Sequence, residues 1–141
     1  MRLDNNIFDY GPCPYVIPVQ KAAIQNTCFR KAVWTGKYLQ MTLMSLRPCE
    51  EIGIEMHKTV DQMIRVEQGE AIIKMGTCQC SLNNTYKLCT GDAVFIPACT
   101  WHNVINTGKS CLKLSSIYAP PNHPRGTVHE TKADADKAHY S

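Results

Sequence analysis

The chain has 141 residues, a net charge of +3, and 44% hydrophobic and 19% charged residues. One domain of that length buries roughly 68–70% of the surface its unfolded chain exposes, enough for a core without staples. No basic run interleaves with aromatics, which argues against nucleic acid as a partner. No apolar stretch approaches the ~18–20 residues that span a bilayer.

In chain order, residues 1–18 carry Gly11-Pro12-Cys13-Pro14 and end in Pro18, so they read as an arm or edge segment rather than a helix. Residues 19–33 suit a turn of helix or a short strand, and Trp34-Thr35-Gly36-Lys37 is a turn. Tyr38 to Leu46 alternates as a strand, with Leu39, Met41 and Leu43 on one face and Gln40, Thr42 and Met44 on the other. After a break at Arg47-Pro48, Ile54–His57 reads as a short strand and Lys58–Asp61 as a turn. Gln62–Glu67 is the next strand. Gln68-Gly69 suggests a hairpin reversal into Ala71–Met75. Residues 76–87 read as a variable loop. Ala93–Ile96, His102–Asn106 and Leu112–Tyr118 complete the strands, and Thr131–Ala138 suits one or two helical turns. Many short strands with frequent turns indicate an all-β barrel or jelly roll. The expected organisation is an arm with edge strands over 1–37, a barrel over 38–118 and a tail over 119–141, less ordered toward Ser141.

Eight cysteines, at 13, 28, 49, 78, 80, 89, 99 and 111, are many for this length. The start Met1-Arg2-Leu3-Asp4-Asn5-Asn6 lacks a basic stretch followed by an apolar core, so a reducing, cytoplasmic setting is expected. Cys78-Gln79-Cys80 is not a CxxC pair and has no matching second pair. Most of the cysteines therefore read as small hydrophobes, with metal or redox work as the alternative.

Strand parity assembles a metal site. Glu55 and His57, two apart, share a face. Gln62, Ile64 and Val66 form the more apolar set of their strand, which puts Gln62 inward, although Asp61 is the rival ligand. His102, Val104 and Asn106 share a face as well. Two imidazoles, a carboxylate and an amide oxygen suit one divalent transition metal with open positions: Zn, Fe, Mn, Ni or Co. Taken singly, each of these residues reads as an ordinary solvated or hydrogen-bonded polar group.

The two segments Glu55-Met56-His57…Gln62…Gly69 and Gly91…Pro97…His102…Asn106 resemble the two motifs of the cupin family over roughly residues 38–118. Glu55 stands in the first His position, His57 in the second, and Gln62 in the Glu position. Cys99 stands where Gly is usual. The flanking text, including the tail Ser-Ile-Tyr-Ala-Pro-Pro-Asn-His-Pro-Arg-Gly, is similar to small single-domain cupins labelled mannose-6-phosphate-isomerase-like. The resemblance implies a double-stranded β-helix, a metal held by Glu55, His57, Gln62 and His102, and a small-molecule substrate of carbohydrate type. It also implies a homodimer paired through the N-terminal arm, with an arm folded back on its own barrel as the alternative.

Isomerase chemistry needs a base, for which Asp61, Glu130 and His129 are candidates. Asp61 reads equally as an acceptor supporting the ligands or as a turn former. A dioxygenase acting on an enediol or diketone, and a non-catalytic ligand-binding module, are the other readings. Tyr118 and Trp34 are candidate pocket residues, and Lys37 a candidate contact for an anionic substrate, as are Arg47, Arg65, Lys74 and Arg125. His123 and His129 read as part of a solvated tail, with closure over the barrel mouth as the alternative.

Overall fold

The computed structural model describes residues 9–140. Two antiparallel sheets face each other. The elements are α1 (Val19–Gln25), β1 (Arg30–Thr35), β2 (Gln40–Leu46), β3 (Asp61–Gln68), β4 (Glu70–Gly76), β5 (Asn84–Cys89), β6 (Ala93–Ile96), β7 (Trp101–Asn106), β8 (Leu112–Ala119), β9 (Val128–His129) and α2 (Lys132–Tyr140). The large sheet runs β6-β3-β8-β2-β1-β9 and the small one β5-β4-β7. This is the expected all-β jelly-roll architecture. Among the described residues no helix is long and apolar enough to cross a membrane.

Register fixes what faces inward. Directly opposed residues on neighbouring strands share a face. Gln40, Tyr118, Gln62 and Ile96 therefore form one inward row across the large sheet, and Ala32, Thr42, Ser116, Ile64 and Val94 the next. A third row is His129, Arg30, Met44, Leu114 and Val66. The apolar members of these rows meet Ala71, Ile73 and Val104 of the small sheet in the main core. Polar members concentrate in the first two rows, with Arg30 and His129 at the β1–β9 edge of the third, so one interior is part core and part site.

The outer face of the large sheet is covered by α1, whose Ala23 packs with Val33 and Leu43. Lys113, buried on that face, donates to the Asn26 carbonyl at 2.7 Å and to Ser45 Oγ at 2.9 Å, tying down the end of the helix. The arm lies on its own barrel: Asp9 accepts from Gly11 N, Thr35 Oγ1 and Gly126 N, and Arg125 donates to the Asp9 and Gly11 carbonyls. β1 pairs with β2 and β9 of the same chain.

Several expectations change. Gln68-Gly69 is no hairpin, because β3 and β4 lie in different sheets; Gly69, at φ 113, carries the chain from one to the other. The residues read as a variable loop include most of β5, which pairs with β4 from Met75↔Asn84 to Glu70↔Cys89. Most side chains of β5 are exposed, so no apolar alternation marks it. Ile54–His57 is not a continuous strand. Gly53, at φ 104, sends its N–H to Asn103 Oδ1 and interrupts the ladder, leaving single bridges at Glu51 and Glu55. The cysteines are not core residues: Cys13, Cys49, Cys78, Cys80, Cys89 and Cys99 are exposed, and Cys28 and Cys111 half-buried.

Candidate metal centre

Glu55 and His102 are opposed by a closed pair of backbone hydrogen bonds, each N–H reaching the other's carbonyl at 2.9 Å. Both side chains therefore leave on the same face. His57 follows two residues later, and its carbonyl accepts from Cys99 N at 2.7 Å. Cys99 takes φ 65, the left-handed conformation that favours glycine, which accounts for the glycine usual at this motif position. The donor atoms of Glu55, His57 and His102 all lie within 4.8 Å of one another. Glu55 Oε1 is 3.3 Å from His102 Nε2 and 3.5 Å from His57 Nε2.

The supporting bonds select the free atoms. His102 Nδ1 is 2.9 Å from the Thr100 carbonyl; as a carbonyl only accepts, Nδ1 carries the proton and Nε2 presents its lone pair. Gln62 Nε2 donates to Ser116 Oγ at 2.9 Å, which leaves Gln62 Oε1 as the presented atom. His57 Nε2, His102 Nε2 and Gln62 Oε1 are all buried without a hydrogen-bond partner. Buried polar atoms are normally satisfied. Two unpartnered imidazole nitrogens beside one carboxylate fit a cation. Burial alone would raise the Glu55 carboxyl, but His102 and His57, when protonated, outweigh it and hold the group well below the usual carboxylate range.

Access is one-sided. The Glu55 and His57 side chains keep 25% and 14% of their surface exposed, while His102 keeps 1%. Solvent therefore reaches the cluster from the Glu55–His57 side. A wall of rings continues from there: His57 to Tyr118 at 5.9 Å, Tyr118 to His123 at 5.2 Å and His123 to His129 at 6.5 Å between centroids. His123 and His129 are thus half-buried against the site, and the solvated-tail expectation is corrected. Gln40 causes this closure. Its Oε1 accepts from Asn122 N and His123 N, and its Nε2 donates to the His123 carbonyl.

The structure brings Glu55, His57 and His102 together, with Tyr118 beside His57 and Gln62 paired with Tyr118 across the strands. It places Asp61 elsewhere: that carboxylate is exposed and accepts from Ala98 N at 2.9 Å. Trp34 lies outside the barrel, donating to the Cys13 carbonyl at 2.7 Å. Lys37 is exposed in the β1–β2 turn, 5.2 Å from the Tyr38 ring. Asn106 is a ladder residue whose amide donates to the Leu46 and Ser110 carbonyls. Sequence reasoning missed Arg30 and Ser116, which only the register of β1 and β8 turns inward.

Two facing antiparallel sheets with a His/His/carboxylate/amide cluster at one end define a cupin. The chain belongs to that family: the Cupin domain model matches residues 42–118. The uncharacterized protein YrkC of Bacillus subtilis (strain 168) is 57% identical over 134 residues, 94% of this chain and 72% of that one. The crystal structure of BH2720 from Bacillus halodurans, 50% identical, superposes with a TM-score of 0.92 over 93% of this chain and 99% of that one. The uncharacterized protein L612 of Acanthamoeba polyphaga mimivirus is 38% identical over 81% of this chain and 70% of that one.

Proposed function

We propose that this cupin is a mononuclear metal-dependent enzyme acting on a small oxygenated molecule. Its first reading is isomerase-type proton transfer on a sugar or sugar phosphate. Glu55, His57, Gln62 and His102 would hold one divalent transition metal. The observation that carries this reading is the pair of buried, unpartnered imidazole nitrogens, His57 Nε2 and His102 Nε2, at 3.5 and 3.3 Å from the Glu55 carboxylate. When bound, such an ion supplies Lewis acidity toward a carbonyl and its neighbouring hydroxyl.

The chain's other residues shape the proton transfer. Glu55 is committed to the cation and Asp61 to the Ala98 amide. The groups facing a substrate are then Tyr118 and His123. Burial raises the Tyr118 hydroxyl, so it stays protonated and serves as a donor. Burial, reinforced by the Arg30 charge, lowers His123 to about 3, so it stays neutral near pH 7 and keeps a lone pair.

Proton NMR in D₂O tests the assignment. The expected result is exchange of the proton alpha to the carbonyl of a hydroxy-carbonyl sugar or its phosphate, abolished in His102→Ala. No exchange, with oxygen uptake on an enediol or diketone instead, would favour the second reading, a dioxygenase. The His57/His102/Glu55 face also suits that chemistry. Silence in both assays would leave a ligand-binding module.

A further inference from the structure

Arg30 sits on the inward face of β1, between Met44 on β2 and His129 on β9, and is only 7% exposed. A guanidinium keeps its charge throughout the range in which proteins fold. Among the described residues it makes no ion pair. Of its five donors, Nη1 meets His129 Nδ1 at 3.4 Å, a long contact, and Nε is buried with no partner. The Phe29 ring lies 5.5 Å from the guanidinium carbon. The Thr42 hydroxyl, next to that of Tyr118, occupies the adjoining inward row.

An unpaired buried charge is among the costliest things a fold can hold. A planar fork of N–H donors is also the shape that recognises a carboxylate or phosphate with two bonds. The metal centre and Arg30 are joined by the ring wall His57–Tyr118–His123–His129, at whose far end Arg30 stands. The Arg30 charge acts on Tyr118, His123 and His129, in each case against their positive or protonated forms, so all three share its field.

We propose that Arg30 anchors an oxyanion subsite inside the barrel, and that the substrate is a small organic anion. Its carboxylate or phosphate group binds Arg30, with His129 and Thr42 as neighbouring partners, while its other oxygens face Glu55, His57, Gln62 and His102. The second half rests on the metal-site reading above; the oxyanion half does not.

The test titrates uniformly ¹⁵N-labelled protein with inorganic phosphate and, separately, with glycolate, with and without added metal. The Arg30 Nε–H resonance and calorimetry are the readouts, and bound metal is measured in parallel. In the wild type at least one of the two anions shifts Arg30 Nε–H saturably, and which one does so assigns the group. Arg30→Gln weakens that binding at least about tenfold. Arg30→Lys, which keeps charge without the fork, retains part of it. Both variants keep the wild-type metal content. No response of Arg30 to either anion, or undiminished affinity in Arg30→Gln, would overturn the subsite. Should Arg30→Gln fail to fold, the wild-type titration decides alone. Wild type without metal but with a responding Arg30 would reject the metal reading and leave the subsite standing. Metal present with an unresponsive Arg30 would do the reverse.

Discussion

A glutamine amide has a donor end and an acceptor end, and only its neighbours decide which end a site sees. Gln62 is turned by one hydroxyl: Ser116 Oγ accepts from Nε2 at 2.9 Å, which leaves Oε1 buried and without a hydrogen-bond partner. Ser116→Ala removes that selection with little change in volume. The expected outcome is a 10- to 100-fold loss of metal affinity in chelator competition, with folding preserved. An unchanged affinity would show that the amide is oriented by something else. The meeting of Glu55, His57 and His102 was legible in the sequence through the spacing of the two motifs, although Glu55 and His57 stand on no continuous strand. Ser116 and Arg30 were not, because they meet the site from strands distant in sequence. In isolation an arginine beside Lys31 reads as a surface charge, and only pairing with Met44 turns it inward.

At the scale of elements, the tail is part of the site. Residues 119–126 read as a Pro-rich tail that is neither strand nor helix, and Gln40 holds Asn122 and His123 through three hydrogen bonds while β9 extends the large sheet. The sequence offered closure over the barrel mouth only as the alternative to a solvated tail, since β9 has two residues and Gln40 looks like any polar strand residue. Burying His123 as a neutral ring has a pH consequence. Its value falls from 6.5 to about 3 on folding, burial first and the Arg30 charge second. Between those limits the unfolded chain binds more protons than the folded one. Stability therefore declines as pH falls below about 6.5, with a slope approaching 1.4 kcal/mol per pH unit for this group, and is flat above it. Urea unfolding of metal-free wild type and His123→Gln at about pH 7 and about pH 4 checks this. The variant should lose less stability on acidification; parallel losses would remove His123 as the source.

At the scale of the molecule, one barrel interior serves two purposes. Its apolar rows, Ile64–Val94 and Met44–Leu114–Val66, supply the core that makes a rigid frame. Its polar row, Gln40–Tyr118–Gln62, lies at the other end, where Gln62 Oε1 is buried without a hydrogen-bond partner. The double-sheet architecture was legible from strand count and turn spacing. The sheet assignment at Gly69 was not, because a positive-φ glycine serves a hairpin and a sheet crossing equally well. The account as a whole rests on the metal. The most direct test is elemental analysis of untagged protein purified without oxygen, beside His57→Ala and His102→Ala. About one divalent first-row ion per chain is expected in the wild type, and almost none in either folded variant. Wild-type protein without metal whose melting temperature no first-row ion raises, or variants that keep a full complement, would contradict the account.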